Sequence, residues 1–144
     1  MASVDEGPQD DESIGDDSYV LRVVHPSQMA MDGNALRVTS NAFQNLTDRE
    51  TGKTAVSVFE ETRLHELGAA ARDLIAGFEG FGVVAITVAL LRGLGLGVTW
   101  EPNDLSFGAA HVHINGDKSR PIRRLIAAGC EYREWPADGQ VPGL

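Results

Sequence analysis

Two histidines and four basic side chains crowd one short stretch: His111-Val112-His113-Ile114-Asn115-Gly116-Asp117-Lys118-Ser119-Arg120-Pro121-Ile122-Arg123-Arg124. On an extended strand, side chains two apart share a face, so His111 and His113 point one way while Val112 and Ile114 point the other. Asn115-Gly116 is a turn signal. Ser119 followed by Pro121 reads as the capped start of a helix, whose first N–H groups and dipole attract anions. Lys118, Arg120, Arg123 and Arg124 bring four bases into seven residues. The stretch therefore predicts a site for phosphate or another anion, with His111, His113, Lys118, Ser119, Arg120 and Arg124 as ligand-binding residues and a histidine as general acid or ligand. The plainer reading is a solvated basic helix face beside exposed histidines, with Val112 and Ile114 on the core side.

The His-x-His pair also supplies two metal ligands from one strand. A third has to come from His25, His65, Glu101 or Asp104, and no spacing selects among them, so no metal is expected. No motif identifies a cofactor. Gly93-Leu94-Gly95-Leu96-Gly97 looks like a phosphate loop, but it follows a helix pattern and precedes a strand pattern, the reverse of what sets phosphate on a helix N-terminus. It reads as a helix stop. Cys130 follows Gly129 with no histidine near it in sequence, which favours a core thiol over a nucleophile. Trp100 and Trp135 fit core positions and partner anchors equally well.

A second constellation runs in the order Arg22 and His25, then Thr39 and Ser40, then Glu60-Glu61. An arginine or histidine, a Ser or Thr, and a glutamate in that order resemble the elements of ADP-ribosyltransferase enzymes. The resemblance implies an NAD- or nucleotide-dependent enzyme, with Arg22, His25, Ser40 and His111 as candidate catalytic residues. The chain lacks a late-strand Glu-x-Glu or Gln-x-Glu, and the plain alternative makes Arg22 and Glu60 surface charges on strands.

The elements that would position these groups follow from periodicity. Tyr19–His25 and Ala55–Phe59 are β-branched and loosely alternating, hence strands, and Phe81–Ile86 reads as a buried strand. Leu36–Phe43 is a short strand or an irregular crossing segment, and 45–54 a surface loop. Leu64, Leu67, Ala71, Leu74, Ile75 and Phe78 recur at spacings of three and four, which predicts a helix over Thr62–Phe78 capped by Thr62. Thr87–Leu94 predicts a short helix, Val98–Trp100 and Ala109–Ile114 strands, Ser119–Ala128 a helix, and Tyr132–Trp135 an edge strand. Without strict alternation of strand and helix, the pattern favours α+β: a single domain with a small mixed sheet and two to three helices.

The chain has 144 residues, 42% hydrophobic and 23% charged, with a net charge of −9. That size and apolar content suit one core. The charge is concentrated at the start, where Asp5, Glu6, Asp10, Asp11, Glu12, Asp16 and Asp17 face no base, leaving the remainder close to balanced. Residues 1–18 are expected to be a disordered acidic tail, serving solubility or screening a basic site. Residues 19–136 are expected as the domain, and 137–144 as a frayed tail. The single cysteine, the lack of a signal-peptide pattern and an apolar run of only Phe81–Leu91 point to a cytoplasmic protein with no membrane span.

The fragments Arg22-Val-Val-His-Pro26, Ser40-Asn-Ala-Phe43, Ser57-Val58, Gly80-Phe-Gly-Val-Val-Ala85 and Ala110-His-Val-His-Ile-Asn-Gly116 resemble a group of small uncharacterised bacterial proteins. That resemblance implies a bacterial cytosolic origin and no assigned activity. The functional expectation is a domain that binds an anionic small ligand or a protein partner. Nucleic acid is the least favoured partner, because the folded part lacks a basic footprint.

Overall fold

The computed structural model describes residues 7–47 and 52–136. The expected α+β domain forms around one large sheet, with strands β1 (Tyr19–Val24), β5 (Thr54–Glu60), β6 (Gly82–Thr87), β7 (Gly97–Trp100), β8 (His111–Asn115) and β9 (Glu131–Glu134) in the order β7-β8-β5-β1-β6-β9. A separate hairpin pairs β2 (Met29–Asp32) with β3 (Ala35–Val38), and the two-residue β4 (Leu46–Thr47) pairs with β5. Every pairing among the described residues is antiparallel.

Strand β6 explains why the sheet is covered on both faces. Its residues Val83, Val84, Ala85 and Ile86 are all fully buried, so both rows of alternating side chains need an apolar cover. Val84 and Ile86 join Val20, Val24, Val56, Val58, Val112 and Ile114 beneath α2 (Val88–Gly93) and α3 (Arg120–Ala128). Val83 and Ala85 join Leu21 beneath α1 (Glu61–Glu66) and a 3-10 turn at Ala71–Ile75, which contribute Leu64, Ala71 and Leu74. Helix α2 starts where Thr87 Oγ1 accepts the N–H of Leu90 at 3.2 Å. Helix α3 starts at the Ser119 cap with Pro121 in its first turn.

Two expectations give way. The helix expected over Thr62–Phe78 starts one residue earlier and ends at Glu66, because Gly68 adopts φ +79 and closes the turn. The chain then restarts as the 3-10 turn, and Leu67 and Phe78 of the expected apolar stripe face solvent. The acidic segment is the second case. From residue 7 onward it lies on the domain: Ile14 is fully buried in the larger core, the Asp11 N–H donates to Val98 O at 2.7 Å, and the Val98 N–H donates to Asp10 Oδ1 at 2.9 Å. The segment thus covers the open edge of β7. It approaches so closely that a Cβ at Gly97 would stand 2.2 Å from Gln9 O. Arg92 donates to the Asp10 carboxylate at 3.2 Å, to Asp16 at 2.7 Å and to Asp11 O at 2.9 Å. The N–H groups of Val88 and Ala89, otherwise orphaned at the start of α2, donate to Ser18 O and Asp16 O. Residues 1–6, 48–51 and the expected frayed tail at 137–144 lie outside the described residues.

Candidate ligand groove

A groove of about 790 Å³ runs between the β2–β3 hairpin and α3. One wall is Leu36, Arg37 and Val38 of β3, continued by Thr39 and by Ser40 and Asn41 of the 3-10 turn Ser40–Phe43. That turn is anchored by Phe43, which is fully buried. The facing wall is Arg120, Arg124, Ala127 and Ala128 of α3, and the groove closes against Cys130, Glu131, Tyr132 and Trp135.

Helix periodicity sets the facing wall. Arg120 and Arg124 are four apart and share a side, while Ile122 and Ile126 turn into the core. Arg123 falls between these sides, half-buried and outside the groove lining. Among the described residues Arg120 and Arg124 have no ion pair or hydrogen bond, and Arg37 has only Asp32, 4.0 Å away with both partners exposed. Among the described residues the one carboxylate lining the groove, Glu131, is engaged by Arg133. Three arginines therefore border a concave surface whose lining also includes Thr39, Ser40, Asn41 and Tyr132.

At the β9 end, the rings of Tyr132 and Trp135 stack with centroids 3.9 Å apart and planes 18° off parallel. Burial, with Cys130 adding to it, pushes the Tyr132 phenol up to about 12, and burial pushes the Cys130 thiol up to about 12 as well. Cys130 donates its S–H to Ile126 O at 3.3 Å. Both groups stay protonated at neutral pH, so Cys130 is no nucleophile although it borders a cavity. At pH 8 its alkylation by iodoacetamide should run about a hundredfold or more slower than that of an unfolded control, a rate difference read by mass spectrometry. Equal rates would contradict the buried thiol.

The groove takes in Thr39, Ser40, Arg120 and Arg124 and leaves out the other residues of the two sequence constellations. Lys118 turns inward, 8% exposed, and donates to Asn45 Oδ1 at 2.5 Å, Ile114 O at 2.9 Å and Gly116 O at 2.8 Å. Its three protons are spent on Asn45 and on the turn that joins β8 to α3, and it does not line the groove. Ser119 Oγ accepts the Ile122 N–H at 3.4 Å as the cap of α3. His111 and His113 do share a face, with ring centroids 5.0 Å apart. The helix that follows them covers the other face, over Val112 and Ile114. Strand alternation separates the two faces but does not say which one α3 will cover, and that sends the histidines away from the basic helix. His113 is buried, not exposed. The His111 ring donates from Nδ1 to Glu101 O at 2.8 Å, since a carbonyl can only accept.

Beside them, Glu101 accepts from Lys53 at 2.7 Å and from Thr99 Oγ1 at 2.8 Å. Burial raises the Glu101 carboxyl, but these two hydrogen bonds outweigh it and the group lies below the ordinary carboxylate value. Among the described residues no three His, Cys, Asp or Glu side chains are placed to share a metal ion.

The residues of the enzyme constellation lie apart. Strands β1 and β5 pair only at Val20↔Glu60 and Leu21↔Phe59 before they splay. Arg22 fills the gap, donating to Ala42 O and Ser57 O at 2.9 Å each. It borders a smaller cavity of about 190 Å³ together with His113 and Lys53. His25 caps the turn at Pro26–Gln28, its Nδ1 accepting the Ser27 N–H at 3.0 Å, and its ring meets Phe81. Glu60 is buried against Arg63. Ser40 alone of the four catalytic candidates borders the large groove.

Arg37, Asn41, Tyr132 and Trp135 complete the groove without having been singled out as its residues by the sequence. Only the folding of the β2–β3 hairpin over α3 brings residues 37–41 next to 120–135. Trp100 and Trp135 both prove exposed, at 41% and 59%. Among the described residues, no helix is long and apolar enough to cross a membrane. No family model, curated protein or solved structure matches this chain.

Proposed function

We propose that the domain binds a small anionic ligand in the groove between β3 and α3, through Arg37, Arg120 and Arg124, with Ser40 and Asn41 as hydrogen-bonding groups. One observation carries this reading: three arginines border a cavity whose lining among the described residues holds one carboxylate, Glu131, already paired with Arg133, while Asp32 stands 4.0 Å from Arg37. Like charges gathered without counter-charges repel one another, and an anion that neutralises them gains that energy on binding. Guanidinium groups suit it because their forked donors grip phosphate or carboxylate in two places. Cavities of roughly 300–1,000 Å³ are the usual size for small-molecule sites, and this one falls inside that range. His111, His113, Lys118 and Ser119 have no part in it. The lone Cys130, which can form no internal disulfide, suits a reducing compartment such as the cytoplasm.

A thermal-shift series with phosphate, pyrophosphate, tripolyphosphate and citrate tests the proposal. An anion present at about a hundred times its dissociation constant should stabilise the fold by roughly 2.7 kcal/mol, several degrees for a domain of this size. Arg120→Ala/Arg124→Ala should remove the shift while leaving the ligand-free melting temperature within a few degrees, since both side chains are exposed. No shift with any anion would overturn the proposal and leave a protein partner as the surviving account.

A further inference from the structure

We infer that the anion taken by this groove carries a planar ring, and that its chemical class is a mononucleotide. The inference rests on the anionic-ligand reading and adds the aromatic end of the cavity to it. Trp135 is 59% exposed yet lines the groove. Its ring is backed by Tyr132 in a nearly parallel stack. Tyr132 thus holds one indole face while Trp135 stays exposed at the border of the groove, which gives a stacking surface whose orientation is set before any ligand arrives.

The groove follows α3. From Arg120 to Ala128 the helix rises about 12 Å, and the chain then turns through Cys130 into β9 and on to Trp135. The cavity thus has two arginines on the helix and a flat aromatic ring from the segment after β9 in its lining. A bare inorganic anion uses the first and leaves the second in water. A ligand that joins phosphate to an aromatic base through a polar linker uses both, and Thr39, Ser40 and Asn41 offer hydroxyl and amide groups to the linker. Three arginines are too few to track a polymer backbone, which favours a single nucleotide over a strand.

Isothermal titration of ATP, tripolyphosphate, adenosine and a dodecameric oligonucleotide into the wild-type chain, Trp135→Leu and Trp135→Phe tests the inference. ATP is expected to bind about tenfold or more tighter than tripolyphosphate, the ratio that one base–aromatic stack supplies. Trp135→Leu should collapse that ratio with tripolyphosphate affinity unchanged, and Trp135→Phe should keep part of it. Equal affinity for ATP and tripolyphosphate, or a ratio that survives Trp135→Leu, would overturn the nucleotide inference while the anion site stands. Tighter binding of the oligonucleotide than of ATP would overturn it in favour of a strand. Failure of every anion to bind would remove the anion reading itself.

Discussion

Ile14→Ala is expected to lower the melting temperature by about 10 °C, although Ile14 lies in a segment dominated by acids. Ile14 is fully buried among Val98, Val88 and Leu91 of the larger core cluster. Replacing a buried isoleucine with alanine costs about 2–5 kcal/mol, and each kcal/mol moves the melting temperature of a domain this size by a few degrees. The same anchor holds the hydrogen bonds that residues 10–11 make to Val98, so its loss also frees the edge of β7. By contrast Glu12→Ala, at an exposed side chain without an ion pair or hydrogen bond among the described residues, should change stability by less than about 0.5 kcal/mol. Differential scanning calorimetry decides. An unchanged melting temperature for Ile14→Ala would mean that the segment is a free tail in solution.

Lys118→Met is expected to destabilise the fold by about 2–4 kcal/mol in chemical denaturation. Methionine keeps the length and removes the donors, leaving Ile114 O, Gly116 O and Asn45 Oδ1 without the ammonium that satisfies them. Each buried polar group left unsatisfied costs about 1–3 kcal/mol. Relief from burying a charge works in the other direction, and it is what sets the pH dependence. Burial brings Lys118 from 10.5 down to about 8, against the opposing charge of Asp117.

The folded state therefore gives up this proton before the unfolded state does, and between about pH 8 and 10.5 the unfolded chain binds more protons. Stability attributable to Lys118 then rises with pH, with the cost of its charge fully present below pH 8 and relieved toward 10.5. The stability difference between wild type and Lys118→Met should move in favour of wild type across that window. A difference independent of pH would contradict the lowered value, and a gain in stability from Lys118→Met at pH 7 would contradict the role of the three acceptors.

Much of the sheet was legible because its strands carry a pattern local enough to read. Tyr19–Val24 and Thr54–Glu60 alternate, and Gly82–Thr87 is too apolar and β-branched to be anything but a buried strand. Helix α3 was legible from its cap, Ser119 with Pro121. The helix expected over 62–78 failed at Gly68, where apolar spacing continued across a residue that takes a left-handed conformation. The acidic segment was misread because composition averages over its length, while one isoleucine and an arginine nearly eighty residues away decide where it lies. For the site, Arg120 and Arg124 could be paired from their spacing alone. Arg37 and Trp135 could not, since nothing local says that the β2–β3 hairpin packs beside α3. Lys118 and the histidines adjoin α3 in sequence and still went elsewhere, one into the turn and two to the opposite sheet face.

The position at which an anion binds separates the groove from the smaller cavity beside Arg22. Titration of the ¹⁵N-labelled chain with tripolyphosphate, followed by amide and arginine Nε–Hε shifts, reads that position residue by residue. Saturating shifts are expected at residues 37–41, 120–128 and 130–132, with the largest side-chain changes at Arg120 and Arg124. Shifts centred instead on Arg22, Lys53 and His113 would place the anion in the smaller cavity and contradict the groove.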